Sequence, residues 1–128
     1  MLNWKNTNRY EKRMQEVFNQ VFRYNPWLLD FLFDKEMPQL RLEPERLIGD
    51  AEAFSSGERT LIRVGLDLWN GSGNVGLWEI IEKLDIHNFQ GVIGGLGHLR
   101  QIEDDGYGIV WRQPKRAYYT EGRRFHPT

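Results

Sequence analysis

Cysteine is absent from this chain of 128 residues, which removes disulfides, thiolate nucleophiles and thiolate metal sites together. Histidine is scarce: His87, His98 and His126 are the only ones. None stands in a His-x3-His or His-Glu-x-x-His pattern. His87 and His98 can share one side of a helix but are too far apart to share one ion, so no metal site is expected. Long apolar runs are missing too. Trp27–Leu29 and Phe31–Phe33 are split by Asp30, far short of the roughly 18–20 residues of a membrane span. No basic start with an apolar stretch and a small-residue cleavage site marks a signal peptide. The expectation is a cytoplasmic protein without a membrane partner. Nor is there an internal repeat or a low-complexity tract.

Catalytic groupings are equally thin. Ser55 and Ser56 have no neighbouring base, and Glu79, Glu82 and Asp85 fall at i, i+3 and i+6 as a solvated acidic face. No nucleophile, base and oxyanion donor come together in the sequence, so no catalytic residue, no cofactor and no enzymatic activity are expected.

What is present suits a folded domain. Hydrophobic residues make up 40% and aromatic residues 13%, too many for a chain that stays disordered. The length suits one domain with its own core. Net charge is −1 but unevenly placed. Residues 1–24 carry five Lys/Arg against two acids, and residues 106–128 carry five against Glu121 alone. Between them, residues 25–54 carry three against seven, and residues 55–105 four against eight. Basic ends around an acidic middle are ordinary solvated surface, or they point to an anionic partner at the ends and a cationic one in the middle.

Along the chain, residues 1–6 read as frayed. From Thr7, apolar residues at Tyr10, Met14, Val17, Phe18, Val21 and Phe22 make one helix face. Asn25 and Pro26 suit the cap and first position of a short helix through Phe33 that is apolar nearly all round. Leu40 and Leu42 alternate with polar neighbours as in a brief strand, and Pro44 opens a further helical turn ended by Gly49. Ser55-x-x-Glu58 is a capping box, with Phe54 placed as its hydrophobic staple. The helix it starts carries Leu61, Ile62, Val64, Leu66, Leu68 and Trp69 and stops at Asn70–Gly71. Across its other side Arg59, Arg63 and Asp67 form an i, i+4 ladder, with Arg63 and Asp67 as an opposite-charge pair.

After the break at 72–74, Leu77, Ile80, Ile81 and Leu84 predict two helical turns. Asp85 then caps a last helix with Phe89, Val92, Ile93, Leu96, Leu99 and Ile102 on one face. Two β-prone runs, Tyr107–Arg112 and Arg116–Thr120, are joined by Gln113–Pro114–Lys115 as a hairpin. The expected fold is mainly α, with a helix-turn-helix-like centre and a C-terminal β-hairpin. Its parts are an N-terminal helical segment (1–54), the core with its hairpin (55–120) and a loose basic tail (121–128), all in one domain.

That order resembles a winged helix-turn-helix. The resemblance implies a recognition helix over 88–100 and a wing over 107–120, with Arg112, Lys115 and Arg116 near phosphates. Asn88 and Gln90 are of the types that read adenine. The rest of the outward face is His87, Gly91, Gly94, Gly95 and His98, and an acidic stretch attracts phosphate poorly. A second resemblance is to a group of small proteins of bacterial phages and mobile elements that carry no assigned activity. They share an Arg-x-Leu-(Ile/Val)-Arg-x3-(Asp/Asn)-Leu-(Trp/Tyr)-Asn-Gly segment. Its counterparts here are Arg59, Leu61, Ile62, Arg63, Asp67, Leu68, Trp69, Asn70 and Gly71, followed by Leu84, Asp85, Asn88 and Phe89. It covers residues 43–102 and implies a mobile-element origin.

The glycines at 91, 94, 95 and 97 lack the strand and the Lys-Ser/Thr of a phosphate loop. They leave a bare strip that either a close-packed helix, a partner backbone or a kinked helix would explain. Trp78, off the Leu77/Ile81/Leu84 line, and Trp111 are candidate exposed aromatics. The candidate partner-binding set is therefore Trp78, Gly91, Gly94, Gly95, His98 and Trp111. The leading expectation is a protein-binding protein whose partner is a host or phage protein, in its sharpest form an inhibitor of a host defence or regulatory factor. A DNA-binding regulator using Asn88, Gln90, Arg112, Lys115 and Arg116 is the first alternative. A self-associating assembly subunit, a homodimer through residues 10–33, is the second.

Overall fold

A computed structural model describes residues 1–104, and these are mainly helical. Six helices follow in order: α1 (Arg9–Val21), α2 (Trp27–Leu32), α3 (Pro44–Asp50), α4 (Ser56–Asn70), α5 (Leu77–Lys83) and α6 (Ile86–Asp104). Among the described residues the only extended pairing is an isolated bridge between Phe33 and Leu40. The strand expected at Leu40–Leu42 is thus a single rung; Arg41 N–H donates to Leu32 O at 2.8 Å and the chain then turns into α3. The expected hairpin and the tail after it lie outside the described residues.

Local chemistry accounts for the helix starts. Asn8 and Glu11 make a reciprocal capping box on α1, and Ser55 and Glu58 make another on α4. α3 begins on Pro44, whose missing N–H is an orphan at that position anyway. α4 ends at Gly71 with φ 80°, a left-handed cap that glycine adopts without steric cost. α2 starts one residue later than expected, with Pro26 rather than Asn25 at the cap position and no side-chain cap bond.

The core is one cluster drawn from every helix. α1 contributes Met14, Val17, Phe18 and Val21, α2 contributes Leu28, Leu29 and Leu32, and α4 contributes Leu61, Ile62, Val64, Leu66 and Trp69. The apolar residues of 10–33 are therefore spent inside this chain. Of the large ones only Tyr24 and Trp27 stay substantially exposed there, so that segment offers little for self-association. Trp27, expected inside, lies against Phe54 at the rim with ring centroids 5.3 Å apart.

The N-terminal arm is the largest departure from expectation. Residues 1–6 do not fray: Leu2 and Trp4 are buried. Leu2 N–H donates to Asn19 Oδ1 at 2.8 Å, and Trp4 Nε1 donates to Asp34 O at 3.0 Å. Trp4 closes an aromatic group with Phe18, Phe33 and Trp69, whose ring centroids stand 4.7–6.3 Å apart in tilted or edge-on pairs. Aromatic rings prefer such offset geometry because their faces and edges carry opposite partial charge.

Candidate functional site

The segment from α4 to α6 is held by a polar clamp. Asp67 Oδ1 accepts from the Gly73 and Asn74 N–H groups at 2.8 and 2.9 Å, and Oδ2 accepts from Val75 N–H at 3.1 Å. Arg63 works from the same side of α4. Its Nε donates to Gly73 O at 2.9 Å, its Nη1 donates to Glu79 Oε2 at 2.7 Å, and its Nη2 donates to Asn74 O. The two residues expected to pair with one another instead grip the loop between α4 and α5. Gly73 fits because a Cβ there would stand 1.8 Å from Arg63 O. Glu79 also accepts from Gly76 N–H at 3.0 Å. That bond first, and the Arg63 guanidinium second, hold its carboxyl below the usual glutamate range.

This clamp compensates for a thin apolar anchor. Within α5 only Ile80 is buried, with Leu84 just after it. Leu77, expected to face the core, is 79% exposed, and Trp78 and Ile81 join it outside. Trp78 is therefore exposed, as the sequence led one to expect.

α6 packs against α1 by its barest side. Gly91 and Gly95 are buried, and a Cβ on Gly91 would approach Val21 O to 3.0 Å and Gln20 O to 3.2 Å. Gly94 lies beside the flexible end of Gln20, and Gly97 has open space around it. Of the explanations for the strip, the close neighbour is this chain's own helix. Gly91 and Gly95, placed in the candidate partner-binding set, are thus occupied internally, because only a missing side chain lets the two backbones approach. His98 reaches the same seam, with Nε2 at 3.4 Å from Glu16 Oε1.

Since glycine faces α1, the apolar residues of α6 divide between the core and the surface. Val92 and Ile102 are buried, while Ile86, Ile93 and Leu96 point out and are 61, 51 and 40% exposed. Of the apolar face expected for this helix, Phe89, Val92, Leu99 and Ile102 meet the core, and Ile93 and Leu96 do not. Asn88 is turned away from any reading surface: it is buried, its backbone N–H donates to Asp85 Oδ1 at 2.8 Å, and its amide donates to Asp85 Oδ2 at 3.3 Å. Gln90 is exposed. Trp111, Arg112, Lys115 and Arg116 lie outside the described residues.

A cleft of about 390 Å³ runs between α3, α4 and α5, lined in part by Glu52, Arg59, Arg63, Glu79 and Lys83. Its charges are mixed, and its arginines are committed: Arg59 Nη1 donates to Phe54 O at 2.7 Å and to Glu52 O at 3.2 Å. Among the described residues no three His, Asp or Glu are grouped to hold a metal ion, and no helix is long and apolar enough to cross a membrane. α5 and α6 each leave large apolar side chains exposed, Leu77, Trp78 and Ile81 on the first and Ile86, Ile93 and Leu96 on the second. The chain matches no known protein-family model, and no curated protein or solved structure is significantly similar to it.

Proposed function

We propose that this is a non-enzymatic, protein-binding protein of phage or mobile-element origin that meets its partner with the outer side of α5 and α6. One observation carries the reading: six large apolar side chains stand exposed there while the core beneath is complete. A contiguous apolar surface larger than a few hundred Å² is uncommon on a monomer and marks sites of association. Trp78, among the most exposed of the six, belongs to a residue type enriched at binding hot spots. Inhibition of a host defence or regulatory factor is the sharpest form of the proposal.

The test is affinity capture with the wild-type chain beside Trp78→Ala and Ile93→Glu. Specific partners should be held by the wild type and lost by both variants. Partners retained equally by all three would overturn the reading.

The winged-helix regulator keeps one supporting observation, a helix pair joined by only Leu84 and Asp85. Its base-reading set shrinks to Gln90, since Asn88 is inside. Retention on duplex DNA that falls steeply with salt and survives Ile93→Glu would favour it.

A further inference from the structure

Along α6 the exposed apolar residues fall at Ile86, Ile93 and Leu96, steps of seven and three. That is the a/d spacing of a helix–helix seam, with Arg100 at the next a position. The opposite positions are Asn88, Gly91, Gly95 and Ile102, all buried. α6 is thus two-sided: one side is fitted to α1 and the other carries a seam with no partner among the described residues. We infer that the occupant of this seam is α6 of a second copy of the chain, running antiparallel. The inference rests on the proposed binding role of the α5–α6 surface and names what fills it.

Three observations support a second copy. The first is self-complementarity. The seam is apolar over Ile86–Leu96 and the outer flank beside it, Gln90 and Gly97, carries no charge, so a two-fold axis brings no like charges together there. The second is charge at the seam's end. In a parallel pair the two Arg100 side chains would face one another at equivalent a positions. In the antiparallel register that pairs Ile86 with Leu96, each Arg100, which in its own helix stands 3.4 Å from Asp104, lands just past the N-terminus of the other α6. Glu82 and Asp85 are exposed at that end, while the nearby Lys83 lines the α3–α4–α5 cleft with Arg63.

The third is area. The six side chains on α5 and α6 are 40–79% exposed and present on the order of 600 Å² of apolar surface, approaching the roughly 800 Å² per partner of a standard interface. Gly97, with open space where a Cβ would be, leaves room beside the seam for a second helix to lie close.

The absence of cysteine makes the test direct. In the antiparallel pair the two copies of position 90 flank the two-fold axis, offset by about 3 Å along the helix direction, whereas the two copies of position 100 are offset by about 27 Å. Gln90→Cys should give a disulfide-linked dimer under mild oxidation and Arg100→Cys should not. Linking through position 100 but not 90 would overturn the antiparallel pair.

Sedimentation of the wild-type chain should show a monomer–dimer equilibrium at micromolar concentration. Ile93→Glu should weaken it by roughly a thousandfold, since each dimer loses the side chain twice. Arg100→Glu should weaken the dimer, and adding Glu82→Lys should restore it. The circular dichroism melt of Ile93→Glu separates lost pairing from lost folding. A wild-type chain that stays monomeric at high concentration would overturn self-pairing alone, because capture of other proteins by the same surface is read in a separate assay. A dimer that survives Ile93→Glu unchanged would overturn this seam as its interface.

Discussion

Gly95 of α6 and Val21 of α1 lie so close that a Cβ on the glycine would stand 2.2 Å from Val21 Cγ2. The spacing between the two helices is therefore set by the lack of a side chain. Gly95→Ala should cost about 1–3 kcal/mol through overpacking, outweighing the roughly 1 kcal/mol that alanine returns to a helix. Gly97→Ala, in open space, should gain up to about 1 kcal/mol. Opposite shifts in urea midpoints would establish the contrast; equal shifts would refute it.

Trp4 carries a second prediction. Because its indole is inside the aromatic group and its Nε1 donates to Asp34 O, Trp4→Ala should cost about 3–5 kcal/mol in urea unfolding. A frayed arm would make the same change nearly silent, within about 0.5 kcal/mol.

Arg63 and Asp67 hold the loop rather than the core, so their loss should act locally. Arg63→Ala or Asp67→Ala should speed amide exchange over residues 73–83 while protection in α1 and α6 persists. The global cost should be about 1–3 kcal/mol, the range for unpaired loop amides and carbonyls. Uniform loss of protection across the chain would contradict this.

Glu79 makes the clamp sensitive to acid. Its folded pKa lies below the usual value, through Gly76 N–H and then Arg63, so folding binds the carboxylate form preferentially. The contribution is fully present above the ordinary glutamate range. It is lost as pH falls from that range through the depressed folded value. Following exchange of residues 73–83 against pH should show the loop loosening across that interval, and Glu79→Gln should flatten the profile there.

Trp78 should separate binding from folding. It is 68% exposed, so Trp78→Ala should change stability by no more than about 0.5 kcal/mol while reducing partner capture. A large drop in melting temperature would mean that the indole is needed by the fold itself.

Much of the scaffold was legible in the sequence. The Ser55–Glu58 box, the apolar face of α4 and its stop at Gly71 all follow local rules that act within one or two turns, and α1 was legible for the same reason. The errors have separate causes. Hydrophobic periodicity assumes that the apolar side of a helix faces inward, and α6 violates this because it packs on α1 through glycine. Ile93 and Leu96, read as core, consequently emerge on the surface. Leu77 was misjudged because Arg63, not apolar burial, fixes α5. Trp4 was missed because nothing local marks it; its place depends on Asp34 and Trp69, far along the chain. The available hint was that Leu2 and Trp4 alternate with polar neighbours.

The grip of Asp67 on residues 73–75 has a consequence for how this protein can change over time. A carboxylate that accepts from peptide N–H groups is indifferent to the side chains those residues carry. Two of them are still constrained: Asn74 holds φ 52°, a left-handed conformation that favours Asn or Gly, and Val75 packs against the core. Gly73 is barred from change as well, since any side chain there meets Arg63 O. The loop that sets the angle at which α5 leaves α4 is thus closed to drift, and variation would fall on the exposed side chains it displays, Leu77 and Trp78, where new contacts can be tried without disturbing the scaffold.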